Sequence, residues 1–227
     1  MKTNILRPLF DAGKLWQGDT KTRFEVTDSG FIELNQALKG HGWPAHMLIE
    51  ILTEEFDTIP IQCALATWKM QLDTRWFALV NPPYKPCAER LMQENIKPEK
   101  LDVIQTSKQD MPWCLEQLAR ASSTKSILAW EQDTLTQTQL RRLQLGCQQG
   151  ETQLFFVRNI KHRTQASPAP MRAVISKVIK GFEISIFKQP GTNSRPPVFV
   201  SSDTCWLSQT PPAQRRITMT YQSTDAH

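Results

Sequence analysis

The sequence predicts an α/β fold: an open, mainly parallel sheet flanked by helices, with a C-terminal β-hairpin and a flexible tail behind it. Three observations predict it. Short apolar, β-rich runs begin at residues 46, 75, 101, 126 and 152, steps of 25 to 29 residues that suit a strand followed by a crossover helix. Apolar residues between those runs recur at helical spacing. Beyond residue 170 the pattern shifts to alternating, β-branched stretches, the signature of paired strands exposed on one face.

Asp28 or Ser29 is placed to cap a short helix running to Leu38, and Gly40 then ends it. The first strand is expected over 46–52, the second over 75–80, the third over 101–105, the fourth over 126–130 and the fifth over 152–157. Ile61, Leu65, Trp68 and Leu72 mark one face of a helix between the first two strands, and Leu140, Leu143 and Cys147 mark another before the fifth. Shorter helices are expected over 85–95 and 112–121. Five βα units in succession favour a sheet with helices on its faces. Residues 171–179 and 182–188 read as a hairpin joined at Lys180-Gly181, and 197–200 as a further strand. The polar, basic stretch 158–170 reads as a mobile surface loop. Three regions follow: an N-terminal helical extension (1–40), a core with its hairpin (41–200) and a flexible basic tail (201–227).

With 227 residues, 40% of them apolar, the chain is long enough for one substantial core. Its five cysteines form no CxxC pair and have no histidine cluster nearby, which argues against a zinc site or a disulfide framework. No segment has the apolar length of a signal peptide or membrane span, so a cytoplasmic protein with reduced thiols is expected. Net charge is +5, unevenly spread: residues 1–157 carry 17 Lys and Arg against 19 Asp and Glu, whereas residues 158–227 carry 10 against 3. The C-terminal excess suits either an anionic partner or a solvated, solubilising face.

In open α/β sheets, chemistry gathers where strand ends meet helix starts. A nucleotide hydrolase needs glycines and a lysine just after the first strand, so that backbone N–H groups can wrap a phosphate. Here that junction reads Thr53-Glu54-Glu55-Phe56-Asp57-Thr58-Ile59-Pro60, with no glycine, no lysine and three carboxylates that would repel the phosphate. The fourth strand ends in Trp130, where such an enzyme would place a metal-binding acid, although Glu131 comes next. No histidine pair at metal-ligand spacing and no nucleophile elbow is present. No catalytic residue, cofactor site or metal site is therefore assigned.

Trp68 and Trp76 fall on expected core faces. Trp16, Trp43 and Trp130 fall at element ends, where partial exposure and edge packing are equally open. Trp206 stands in the tail, where an aromatic side chain is a reasonable anchor for a partner.

Several segments, in order, resemble one family. They are Gly13-Lys14-Leu15-Trp16-Gln17-Gly18, Ala37-Leu38-Lys39-Gly40-His41-Gly42-Trp43-Pro44, the run from Arg75 to Pro86, Ile127-Leu128-Ala129-Trp130, Leu140-Arg141-Arg142-Leu143-Gln144-Leu145, Leu154-Phe155-Phe156-Val157-Arg158 and Ser167-Pro168-Ala169-Pro170-Met171-Arg172. Over residues 13–200 the chain resembles the ImuA family of translesion-synthesis accessory proteins, within the wider RecA-like and SulA-like group of bacterial damage-response proteins. The resemblance implies a RecA-like core and a non-catalytic adaptor in the SOS-induced mutagenic repair machinery. Its implied partners are an ImuB-like inactive relative of lesion-bypass polymerases and an error-prone polymerase III α-type subunit, with RecA and single-stranded DNA as further candidates. Where RecA carries its phosphate loop, this chain has 53–60, and where RecA carries an acid after the second strand it has Asn81-Pro82-Pro83. Those departures imply a pseudo-ATPase.

Candidate contact residues for DNA or a protein partner are Arg158, Lys161, His162 and Arg163 of the loop, Arg172, Lys177, Lys180 and Lys188 of the hairpin, and Trp206 of the tail. The loop lies where RecA places a DNA-contacting loop. The alternative reading is a SulA-like division inhibitor that binds the tubulin-like protein FtsZ, although SulA-like chains end soon after the fifth strand.

Overall fold

The computed structural model describes residues 24–54, 56, 59–70, 75–93, 96–190, 192–193 and 196–201. A two-residue strand β1 (Val26–Thr27) pairs antiparallel with β2 (Trp43–Pro44), bracketing helix α1 (Ile32–Ala37). The main sheet is built from β3 (Leu48–Thr53), β4 (Trp76–Val80), β5 (Leu101–Ile104), β6 (Thr124–Trp130), β7 (Gln153–Asn159), β8 (Met171–Val178), β9 (Gly181–Gln189), β10 (Thr192–Asn193) and β11 (Val198–Ser201). Four helices lie between its strands: α2 (Ile59–Lys69), α3 (Ala88–Gln93), α4 (Met111–Arg120) and α5 (Gln137–Gln149).

The strand order is β10-β9-β8-β3-β7-β6-β4-β5, with β11 also paired to β9. From β8 to β5 every neighbouring pair is parallel, and β9 pairs antiparallel with β8, β10 and β11. The mixed α/β architecture with a mostly parallel sheet and flanking helices is thus as expected. All five predicted strands and both hairpin arms appear close to their expected bounds.

Burial on both faces explains the near-continuous apolar strands. On one face Ile49, Ile51, Phe155, Val157, Ala173 and Ile175 pack with Cys63, Ala64, Leu65 and Trp68 of α2. Phe31, Leu34 and Leu38, from the segment assigned to the N-terminal extension, join that same core. On the opposite face Leu48, Ile127, Ala129, Leu154 and Phe156 pack with Met111, Leu115 and Ala119 of α4 and Leu140, Leu143 and Cys147 of α5. The stripe expected for α5 is therefore its buried face. That helix starts at a capping box, in which the Thr136 hydroxyl accepts from the Gln139 N–H while the Gln139 side chain accepts from the Thr136 N–H.

Of the described tryptophans, Trp76 departs from its expected place on a core face. Trp68 is buried and stacks on Phe77 at 4.8 Å. Trp43 and Trp130, at element ends where the sequence leaves exposure and edge packing both open, are packed inside at 0% and 2% exposed. Trp76 opens β4 before the core begins and is 38% exposed, with the Lys100 ammonium 4.9 Å from its ring. Among the described residues, no helix is long and apolar enough to cross a membrane.

Candidate functional site

Parallel pairing brings the carboxyl ends of β3, β6 and β7 to one edge of the sheet. A cleft of about 230 Å³ opens there, lined by Phe56 after β3, Glu131, Gln132, Asp133 and Thr134 after β6, and Asn159 and Lys161 at the end of β7. The first βα junction contributes Glu54, which is exposed, and the helix that follows starts with Ile59 and Pro60, both buried. Residues 55, 57 and 58 lie outside the described residues.

Beneath the cleft lies a buried ionic network. Glu50, in the middle of β3, is 0% exposed, and its Cα pairs with Phe156 and Arg172 on the two neighbouring strands. Its Oε1 accepts from Arg158 Nη1 at 3.0 Å and from the Ser167 hydroxyl at 2.7 Å, and its Oε2 accepts from Arg172 Nε at 2.6 Å. Arg158 Nε also donates to Glu131 Oε1 at 2.8 Å, so one guanidinium bridges two carboxylates. The second Glu131 oxygen lies 3.0 Å from His162 Nε2, and Nδ1 of that ring lies 2.7 Å from Gln165 Oε1. Two carboxylates face two guanidiniums, which is what allows four charges to stay inside a protein.

The same groups hold the chain that follows β7. Asn159 accepts from Lys161 N and caps a 3₁₀ turn over Ile160–Thr164. Arg172 donates to the carbonyl oxygens of His162 at 2.8 Å and Gln165 at 2.9 Å, and Lys188 Nζ donates to the Ser167 carbonyl at 2.8 Å. Burial holds the Lys188 ammonium below the usual lysine range, the nearby Arg172 charge adds to this, and Glu50 opposes it. The stretch expected as a mobile surface loop is instead a pinned cover over the ionic network.

The candidate contact residues therefore separate into two groups. Arg158, His162 and Arg172, expected at the surface, are 1%, 1% and 5% exposed and bind the interior, which corrects their assignment as partner contacts. Lys188 is half-buried and engaged internally. Lys161, Arg163, Lys177 and Lys180 are exposed. Trp206 lies outside the described residues. Sequence reasoning passed over Glu50 and Ser167. The available signal was a lone glutamate inside the apolar run Leu48-Ile49-Glu50-Ile51-Leu52, because a strand buried on both faces keeps a carboxylate only when cations meet it.

Cys63 and Cys147 are buried among apolar neighbours, and burial pushes the Cys147 thiol far above its ordinary range. Both thus serve as small core residues rather than reactive thiols. Among the described residues, no three His, Cys, Asp or Glu side chains gather in a set able to hold a metal ion. No family model matches the chain. No curated protein matches it. Among solved structures, SulA from Pseudomonas aeruginosa is similar to it at a TM-score of 0.40 and 19% identity, over 49% of this chain and 97% of that one.

Proposed function

We propose that the chain is a non-catalytic, RecA-like adaptor of the mutagenic translesion machinery, which brings together an inactive polymerase homologue and an error-prone polymerase without hydrolysing nucleotide. The observation that carries this reading is the state of Glu131. It is the acid nearest the position where a nucleotide hydrolase needs a metal ligand, yet Arg158 lies on one of its oxygens and His162 on the other. A carboxylate with a guanidinium on one oxygen and an imidazole nitrogen beside the other is a poor magnesium ligand, because these groups occupy the positions the ion would need. The glycine-free, acid-bearing junction at 53–60 supports the same reading, and five βα units in one mainly parallel sheet support the RecA-like core.

Two measurements test it. Calorimetric titration of the purified chain with ATP and magnesium should give no binding in the micromolar range, where binding would be worth about −8 kcal/mol. Affinity capture from DNA-damaged bacterial cells should recover polymerase subunits. Micromolar ATP binding that is lost on changing residues 53–60 would refute the pseudo-ATPase reading. Recovery of the tubulin-like division protein in place of polymerase subunits would replace the adaptor with a division inhibitor.

A further inference from the structure

The β8–β9 hairpin does not end with the sheet. Val174 of β8 pairs with Leu52, one residue before β3 ends, yet β8 continues to Val178. The hairpin therefore extends about 10 Å past the carboxyl edge of β3 at 3.3 Å per residue. Its turn is the pair Ile179-Lys180, between the paired residues Val178 and Gly181.

This turn breaks two local rules at once. Ile179, a large apolar side chain, is 90% exposed. Lys180 has a φ of +66°, a left-handed conformation that two-residue turns usually give to glycine or asparagine. The neighbouring glycine cannot serve instead, because it is fixed by another demand: a Cβ at Gly181 would lie 2.0 Å from the Val200 carbonyl oxygen of β11. An exposed aliphatic residue and a left-handed non-glycine side by side at a protruding tip make this turn a candidate contact element.

The surroundings of the tip indicate what it contacts. The Phe199 ring, 48% exposed on the neighbouring β11, reaches within 3.1 Å of a Cβ placed on Gly181, so it stands beside the turn. Lys177 and Lys180, both exposed, flank Ile179. The tip thus combines a half-open aromatic ring, a projecting aliphatic side chain and two ammonium groups; residues 177–182 include no acid, Glu183 stands opposite Phe199 across the β9–β11 pair, and Lys177, paired with the buried Phe182, rises from the other face of the hairpin. An apolar pocket on a protein would match Ile179 but leave the lysines unanswered. Unpaired bases stack on aromatic and aliphatic surfaces while their phosphates take ammonium groups, so single-stranded nucleic acid answers all four side chains.

We infer that the β8–β9 tip is a single-stranded DNA contact, in which Phe199 and Ile179 provide the surface against which bases lie and Lys177 and Lys180 bind the backbone phosphates. The inference rests on the adaptor reading and deepens it by naming DNA as the ligand of one element.

The experiment uses the full chain and a fluorescein-labelled oligothymidylate of about 30 nucleotides, followed by anisotropy across a salt series. The unchanged chain should bind, with affinity falling as salt rises. Ile179→Ser and Phe199→Thr should each weaken binding about tenfold and leave the salt slope unchanged. Lys177→Gln and Lys180→Gln should each flatten that slope by about 0.7, one phosphate contact apiece on a single strand. Far-ultraviolet spectra and melting temperatures of all four variants check folding, and these exposed positions give little reason for either to change. Absence of binding by the unchanged chain, or binding that all four substitutions leave intact, overturns the inference. So does a loss of polymerase capture by Ile179→Ser with oligonucleotide affinity preserved, which would assign the tip to a protein partner. A chain that captures polymerase subunits but ignores the oligonucleotide refutes the tip alone, whereas one that binds the oligonucleotide and captures no polymerase subunit refutes the adaptor reading alone.

Discussion

Arg158 offers the sharpest test of the buried network, because the two readings of this residue differ by several kcal/mol. As a surface-loop arginine it could be replaced at a cost within about 0.5 kcal/mol. The structure instead makes it 1% exposed, donating to Glu50 at 3.0 Å and to Glu131 at 2.8 Å. Arg158→Met keeps much of the aliphatic stem and removes the guanidinium. Glu50 would retain Arg172 and Ser167, but Glu131 would keep only His162, so one buried carboxylate is left almost uncompensated. Removing one partner of a buried pair costs about 3–5 kcal/mol. For a chain of this size each kcal/mol moves Tm by about 2–4 °C, so the expected fall is roughly 6–20 °C. Urea unfolding of the wild type, Arg158→Met, Glu131→Gln and the double variant completes a cycle. The double variant should be more stable than the sum of the single losses allows, by at least about 1 kcal/mol, because it no longer strands a charge. A single loss below about 1 kcal/mol, or simple additivity across the cycle, would refute the network as described.

Two further outcomes follow from local environments. His46 sits below the ordinary histidine range, chiefly because burial disfavours its charged form, with Glu25 pulling the other way. The unfolded chain therefore takes up a proton that the folded one resists as pH falls through the ordinary histidine value, so stability should decline there. His46→Asn, which tolerates the φ of +53° at this position, should remove that part of the decline in urea melts at pH 7 and pH 5, and an unaltered pH dependence would count against the assignment. Among the described thiols, Cys87 is exposed, Cys114 is half-exposed with its thiol raised by burial, and Cys63 and Cys147 are buried. A maleimide pulse at neutral pH read by peptide mass spectrometry should label Cys87 first and Cys114 slowly, and labelling of Cys147 in the folded chain would contradict its place between α5 and the sheet.

The sequence by itself determined the succession of elements. Strand and helix periods are local properties, so the five apolar runs, the α5 stripe through Leu140, Leu143 and Cys147, and the existence of the hairpin could all be read from neighbouring residues, although its turn falls at Ile179-Lys180, one residue before the expected Lys180-Gly181, because Gly181 is already paired with Val178. It also determined the chemistry of the first βα junction, since the lack of glycine and lysine there needs no structure to be seen. The tertiary structure alone decided which charges face water. Arg158 and Arg172 stand in a basic stretch that reads as solvated, and their counterions lie far away in sequence, with Glu50 on β3 separated from Arg158 by 108 residues and Glu131 separated from it by 27. Only the parallel pairing of β3 with β7 and β8, and of β6 with β7, brings these groups within 3 Å of one another. The same lesson applies to Trp43 and Trp130, which close the core from element ends, and to Trp76, which the start of β4 leaves half outside it. Burial is set by what packs against a residue, and that is decided by strand order, which no local pattern encodes.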